Sequence, residues 1–344
     1  MTALRLIVAG LGARAQTWLR VIGANPDLQI AGLCDPDPKA RARAADAFPG
    51  VLIGADLSEI ISVGADAVLL ATPPFGRHAQ IEICCTHSLP ILAEKPLADD
   101  VPTAALFVQM AEQARIALIV GLNFRFLGVT KALKSLLDQG TVGRPEFARF
   151  TYERWRDGKL PHLNKYPLTM AQPMLWEQSV HHFDLMRFVY QSEPSRVFAR
   201  TFNPSWSMYQ GDANASALFE FQNGIGVNYQ GTWAGNRARL DFEWRTDCTK
   251  GVVVQREMFG DLGYALRDAP DLTPVVLPPH EHWITDAADL LATFVQIVRG
   301  TTAPLCTGRD HLRSLMMLQA CITSSQRQEA LEMAEIEDGL VNVA

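Results

Sequence analysis

Five apolar runs of strand length, Leu4 to Ala9, Gln29 to Cys34, Ala67 to Ala71, Ile91 to Ala93 and Ala117 to Gly121, recur through the first third of the chain with helix-length stretches between them. Strands that are apolar at nearly every position are covered on both faces, and strands joined by helices lie parallel. The pattern predicts a parallel sheet with crossover helices, an α/β N-terminal domain of Rossmann type. Its first run ends in Gly10-Leu11-Gly12-Ala13-Arg14-Ala15. This GxGxxA turn lets the backbone approach a pyrophosphate, whose charge then meets a helix N-terminus. Gly10, Gly12, Ala13 and Arg14 are therefore expected to contact a dinucleotide.

After residue 145 the pattern changes. Ala217-Leu218-Phe219-Glu220-Phe221 and Ile225-Gly226-Val227-Asn228-Tyr229 flank Gln222-Asn223-Gly224. Asn-Gly supplies the positive φ angles of a two-residue hairpin turn, so this pair is antiparallel. Glu146 to Tyr152, Arg196 to Phe202, Arg239 to Arg245 and Gly251 to Arg256 read as further strands of the same sheet. Pro173 to Tyr190, Thr285 to Arg299 and Arg309 to Gln326 read as helices. A chain of 344 residues exceeds one domain of roughly 100 to 200. The expectation is two domains sharing one cleft: residues 1–124, the dinucleotide-binding domain, and 125–344, an α+β domain with a largely antiparallel open sheet for substrate binding and oligomerisation.

Charge narrows the partners. A formal net charge of −6 without any block of Lys or Arg lacks the footprint of a nucleic-acid or anionic-membrane binder and favours small molecules. No stretch approaches the ~20 apolar residues needed to cross a bilayer. The run Leu4 to Leu11 leads into a glycine turn instead of a cleavage site, so no secretory leader is read. Six cysteines without CxxC spacing suit reduced thiols and a cytoplasmic location.

Asp35 ends the second apolar run, 23 residues after Gly12. An acidic side chain there accepts both ribose hydroxyls and repels a 2′-phosphate, favouring NAD over NADP. Capping of the helix starting near Pro36 is the competing role, and Lys39 and Arg41 are near enough to serve a phosphate and keep NADP as the alternative. Thr72 and Pro73 follow another strand and should edge the cofactor, with His78 facing either the nicotinamide end or solvent. Glu94 and Lys95 sit at the strand end in Ala93-Glu94-Lys95-Pro96-Leu97. A lysine held beside a carboxylate there is a candidate proton donor and acceptor. Burial next to an oxidised nicotinamide would lower its pKa toward ~7 to 8, whereas Glu94 alone would raise it. A surface ion pair before a helix is the alternative reading.

On the predicted helix Pro173 to Tyr190, Glu177, His181 and Asp184 fall on one face, and His182 on another. Glu177 and His181 form a candidate pair for binding or deprotonating an alcohol, with a structural His181–Asp184 hydrogen bond as the bland alternative. A metal site with His280 or His282 lacks a tight ligand cluster, so no metal is assigned. The segment Tyr152 to Lys165 carries Arg154, Trp155, Arg156, His162 and Lys165 on what reads as a loop; Trp155, Arg156 and His162 are candidate substrate contacts. Trp233 reads as sheet packing.

The GxGxxA loop, Ala71-Thr72-Pro73 with His78, Ala93-Glu94-Lys95-Pro96-Leu97-Ala98, Gly121-Leu122-Asn123-Phe124-Arg125-Phe126 and the helix bearing His181 and Asp184, in this order, resemble the Gfo/Idh/MocA oxidoreductases over almost the whole chain. The resemblance implies reversible hydride transfer between NAD(P) and a sugar, inositol or related polyol, and homodimers or homotetramers assembled through the second sheet. It matches Lys95 to the catalytic lysine, His181 to the histidine at the reacting hydroxyl, and Asn123 to a residue lining the nicotinamide region. Many members carry Asp where this chain has Glu177. Two other activities share the architecture: NAD-dependent glycoside hydrolysis through transient oxidation, and non-catalytic nucleotide sensing.

Overall fold

The computed structural model describes residues 2–341; residue 1 and residues 342–344, the outer limits of the two expected domains, lie outside the described residues. The chain opens as β1 (Leu4–Ala9), α1 (Ala13–Gly23), β2 (Leu28–Cys34), α2 (Pro38–Ala47), β3 (Leu52–Gly54), α3 (Leu57–Ile60), β4 (Ala67–Leu70), α4 (His78–Thr86), β5 (Ile91–Ala93), α5 (Val101–Gln113) and β6 (Leu118–Val120). The strands form one sheet in the order β3-β2-β1-β4-β5-β6, parallel at every pairing. Leu6, Ile7, Val8, Val68 and Ile91 are wholly buried, as continuous apolar runs require. The strand order reverses between β1 and β4, which marks the carboxyl ends of those strands as the ligand edge of the sheet.

Next come α6 (Gly128–Asp138), β7 (Pro145–Arg154), α7 (Val180–Tyr190), β8 (Pro194–Phe202), β9 (Asn214–Phe221), β10 (Gly226–Thr232), β11 (Leu240–Cys248), β12 (Gly251–Glu257), β13 (Gly260–Leu266) and β14 (Thr273–Pro274). The chain ends with α8 (Thr285–Val298), α9 (Gly308–Arg327), β15 (Leu331–Glu332) and α10 (Met333–Val341). A nine-stranded sheet runs β14-β13-β12-β11-β7-β10-β9-β8-β15. Only β7 and β10 pair in parallel; every other neighbour is antiparallel.

Two compact units result: the chain through Asn123 together with Glu281–Leu312, and Phe124–His280 together with the chain from Arg313 onward. The sequence reading treated 125–344 as one piece, whereas α8 and the start of α9 pack with the parallel sheet. There His311 accepts the Leu97 N–H at 3.3 Å, Val120 donates to the Cys306 carbonyl at 2.8 Å, and Arg309 forks onto Glu112.

The β9–β10 hairpin forms with a different turn from the expected one. Phe221 N–H reaches the Ile225 carbonyl at 2.9 Å, and only Gly224 takes positive φ, +88°. Three residues close the loop, with the left-handed position last.

Ten of the eleven residues of α7 are buried, so this helix is enclosed nearly all round instead of showing one wet face. Phe183 packs edge-on against Phe219 and Tyr229, both at 4.9 Å. His182, 1% exposed, lies among Phe150 and Tyr152, 3.0 Å from both the Tyr229 hydroxyl and Gln178 Nε2. Burial pushes its imidazole down to about 3, while the unfolded chain titrates near ~6.5. Between those values the unfolded state binds the extra proton, so stability from the neutral ring is complete above ~6.5 and lost as pH falls toward about 3. Urea unfolding at about pH 7.5 and about pH 4.5 should show the parent losing roughly 2 to 3 kcal/mol more than His182→Gln across that window. Equal losses would contradict the assignment.

Candidate active site

In the first unit, β1 runs into Gly10, whose φ is +88° and whose Cβ, if present, would stand 2.9 Å from the Ala71 carbonyl carbon. Only glycine lets β1 and β4 approach so closely at the ligand edge. Gly12 is the opposite case. A Cβ there would meet nothing within 4 Å, and Gly12 caps α1 without a side-chain hydrogen bond or an acid in the first turn. An open, uncapped helix N-terminus behind a glycine turn fits a pyrophosphate.

Asp35 does not cap α2; Asp37 does, accepting from Lys39 N–H. Asp35 instead accepts the Leu11 N–H at 2.6 Å and the Asp37 N–H at 2.8 Å, one on each oxygen. Each oxygen keeps a lone pair for a ribose hydroxyl. Arg41 is turned to the backbone, its Nη1 donating to the Asp35 and Pro36 carbonyls at 2.9 Å. These residues fit the sugar and phosphates of a dinucleotide.

The Glu94–Lys95 turn is organised differently from a simple ion pair. Glu94, 7% exposed, accepts from Arg14 Nε at 2.5 Å, from Trp18 Nε1 at 2.7 Å and from the Lys95 N–H at 3.2 Å. Burial alone would raise its carboxyl, but the Arg14 charge and the two side-chain donors outweigh it and hold the carboxyl below its ordinary range, with a smaller pull from Lys95. Arg14 thus reaches back from α1 to the turn. Lys95 itself is half-buried.

Arg77, fully buried and part of no motif in the sequence, clamps this turn. Its Nη1 donates to the carbonyls of Glu94, Pro96 and Leu97 at 2.5, 2.7 and 3.1 Å. Its Nε and Nη2 hold Thr72 through the hydroxyl and the carbonyl. Thr72 also donates to Gln80 at 2.9 Å, and Pro73 beside it is exposed. One guanidinium therefore ties the end of β4 to the turn after β5. His78 is exposed and packs edge-on against Phe107 at 5.9 Å. Asn123, 2% exposed, donates its amide to the buried Asp286 of α8.

In the second unit, the expected helix over Pro173 to Tyr190 contains a π turn, Leu175–Ser179, before α7. The wider turn breaks the four-residue spacing from which Glu177 and His181 were paired, and such turns concentrate at functional sites. Glu177 accepts from the Tyr166 hydroxyl at 2.8 Å. His181, 5% exposed, stacks on Phe124 at 4.0 Å with 17° between the rings. Asp184 receives the Arg125 fork at 2.7 and 2.5 Å.

The stretch after residue 152 is partly strand: β7 continues to Arg154, and Trp155 bridges to Ala234. Trp155 is 46% exposed and His162 is exposed, while Arg156 lies over Trp233 at 4.2 Å. Trp233 is buried, as sheet packing requires. Tyr166 joins this segment to the π turn through Glu177. Among the described residues no group of three or more His, Cys, Asp or Glu could hold a metal ion, and no helix is long and apolar enough to cross a membrane.

Residues 4–122 match the family described as "Oxidoreductase family, NAD-binding Rossmann fold", and residues 130–254 match the "GFO/IDH/MocA C-terminal domain". The D-apiose dehydrogenase of Rhizobium rhizogenes is 26% identical over 369 residues, spanning 97% of this chain and 98% of that protein. The myo-inositol 2-dehydrogenase of Thermotoga maritima is 24% identical over 289 residues, spanning 79% and 80%. An oxidoreductase from Agrobacterium radiobacter, solved in complex with NAD+, L-tartaric acid and magnesium, shares the fold with a TM-score of 0.87 at 21% identity, over 97% of this chain and 100% of that one.

Proposed function

From the premise that the chain belongs to the Gfo/Idh/MocA family of NAD-binding oxidoreductases, we propose that it oxidises a hydroxyl of a sugar or polyol reversibly, with Lys95 and His181 in acid-base roles. The observation that carries this reading is the construction of the Lys95 turn. A buried arginine, a buried glutamate and a tryptophan fix its backbone and leave the lysine as the half-buried group at the ligand edge of the parallel sheet.

When bound, the dinucleotide supplies a hydride acceptor at C4 of its nicotinamide. Lys95 Nζ takes the hydroxyl proton in the oxidation direction and returns it in reduction. His181, its ring plane set by Phe124, takes the second acid-base role. Glu177, one carbon longer than the aspartate of many relatives, is oriented by Tyr166 and binds a neighbouring hydroxyl. Asp35 favours NAD over NADP, since its carboxylate opposes a 2′-phosphate. Thr72, Pro73, His78 and Asn123 belong to the nicotinamide side, and Trp155 and Arg156 to the substrate side. The outward sheet face, with Phe147, Phe198 and Leu218 about half exposed, is assigned to a second copy of the chain, since apolar surface of this kind marks association.

A panel of sugars and polyols offered with NAD and with NADP, followed by reduced-nicotinamide absorbance and by sugar release, tests the proposal. Substrate-dependent reduction of NAD, faster than that of NADP, is expected. Release of sugar without net reduction would replace the dehydrogenase with the hydrolytic activity, and silence on every substrate would leave a nucleotide sensor.

A further inference from the structure

Arg156 has a feature that a neutral polyol does not explain. Its Nη1 is buried and has no hydrogen-bond partner. Other arginines near this edge, Arg237 and Arg239, face Asp241; Arg156 forms no ion pair among the described residues. Nor is the side chain loose. Its guanidinium covers the Trp233 ring at 4.2 Å, and its backbone is pinned as well, the main-chain N–H donating to the Trp233 carbonyl at 2.9 Å and the main-chain carbonyl accepting from the Tyr209 hydroxyl at 2.9 Å.

Burying a cationic N–H without an acceptor is costly, so a position that retains one is suited to receive an acceptor from a ligand. The surroundings are basic as well. Residues 154–165 carry Arg154, Arg156, Lys159 and Lys165 against Asp157, a net +3 in a chain whose net charge is −6. The position is that of the substrate side. Tyr152, two residues before Arg154 on β7, donates to Gln178 at 3.4 Å, next to Glu177, and Tyr166 of the same segment holds Glu177 itself.

We propose that the substrate is a sugar acid, and that Arg156 binds its carboxylate through the edge of the guanidinium left open by Trp233. The inference rests on the polyol-oxidising reading above and names the substrate class for it. A guanidinium held over an aromatic ring offers a planar fork of donors, which suits a carboxylate.

Calorimetric titration of the full chain in the presence of NADH tests this, using D-glucuronate, D-galacturonate and D-gluconate against D-glucose, D-galactose and myo-inositol, with D-glucose 6-phosphate as the phosphate probe. At least one acid should bind roughly tenfold or more tighter than its neutral counterpart, and Arg156→Met should cut that advantage to about twofold. If Arg156→Met does not fold, Arg156→Lys serves, since its point charge keeps attraction but loses the fork and should retain only part of the advantage. No preference for acids, a preference unaffected by either variant, or tighter binding of the phosphate ester than of every acid would overturn the proposal. Turnover on the same compounds is scored separately. Arg156-dependent acid binding without turnover would sink the dehydrogenase reading alone, and turnover of neutral polyols without acid preference would sink this inference alone.

Discussion

Replacing Lys95 by Ala is expected to lower kcat by a factor of about 10² to 10⁴ while leaving the Kd for NAD nearly intact, because a positioned base contributes on that scale to proton transfer. The separation of the two effects follows from how the turn is built. Its backbone is held by Arg77 through the carbonyls of Glu94, Pro96 and Leu97 and by Glu94 through Arg14 and Trp18, and none of these contacts uses the Lys95 side chain. The proposed contacts to the sugar and phosphates of the dinucleotide lie instead on the Gly10–Gly12 turn and at Asp35. Lys95→Arg is the sharper variant, since it retains the charge but cannot give up a proton near neutral pH. It should be as inactive as the alanine variant. A Lys95→Arg enzyme with parental kcat would show that residue 95 supplies charge and not proton transfer.

Arg125→Met should destabilise the protein by about 3 kcal/mol or more, because it leaves the Asp184 carboxylate buried without its main partner. Asp184 is 1% exposed and Arg125 6%. The remaining donors are weaker: Ser314 at 3.3 Å and Arg187 Nη1 at 3.9 Å. The double variant Arg125→Met with Asp184→Leu removes both charges and should recover much of the loss, since a buried pair contributes far less than breaking it costs. Urea unfolding of the four proteins in this cycle measures the coupling, and additive losses would contradict it. Because α7 carries His181 three residues before Asp184, the single variant should also reduce turnover.

The parallel sheet was legible because each of its buried strands repeats the same local signal, and the GxGxxA turn and Asp35 sit at fixed places relative to two of them. What stayed hidden depends on distant partners. Arg77 looks like an ordinary polar residue at a helix start, and only the folded β4 and β5 ends reveal the carbonyls it clamps. The π turn over Leu175–Ser179 has the same polar and apolar pattern as a regular helix, so the assumed spacing from Glu177 to His181 hid it. The return of α8 to the first unit is set by contacts such as Asn123 with Asp286, across a long separation in sequence. The alternative that pairs Asp184 with His181 rests on helix neighbours, which are visible in sequence, whereas its actual partner Arg125 lies on another element and is not. Asn223-Gly224 marks the hairpin in the sequence but not its length, since the dipeptide serves both two- and three-residue closures and here closes three residues.

The most direct measurement follows the hydrogen itself. A sugar or polyol carrying deuterium at the oxidised carbon, incubated with the protein and NAD, should yield reduced nicotinamide with deuterium at C4 and a carbonyl product without it, as read by mass spectrometry, and Lys95→Ala should form neither at a comparable rate. Reduced nicotinamide free of deuterium, or label transfer proceeding equally well without the lysine, would contradict direct hydride transfer assisted by Lys95.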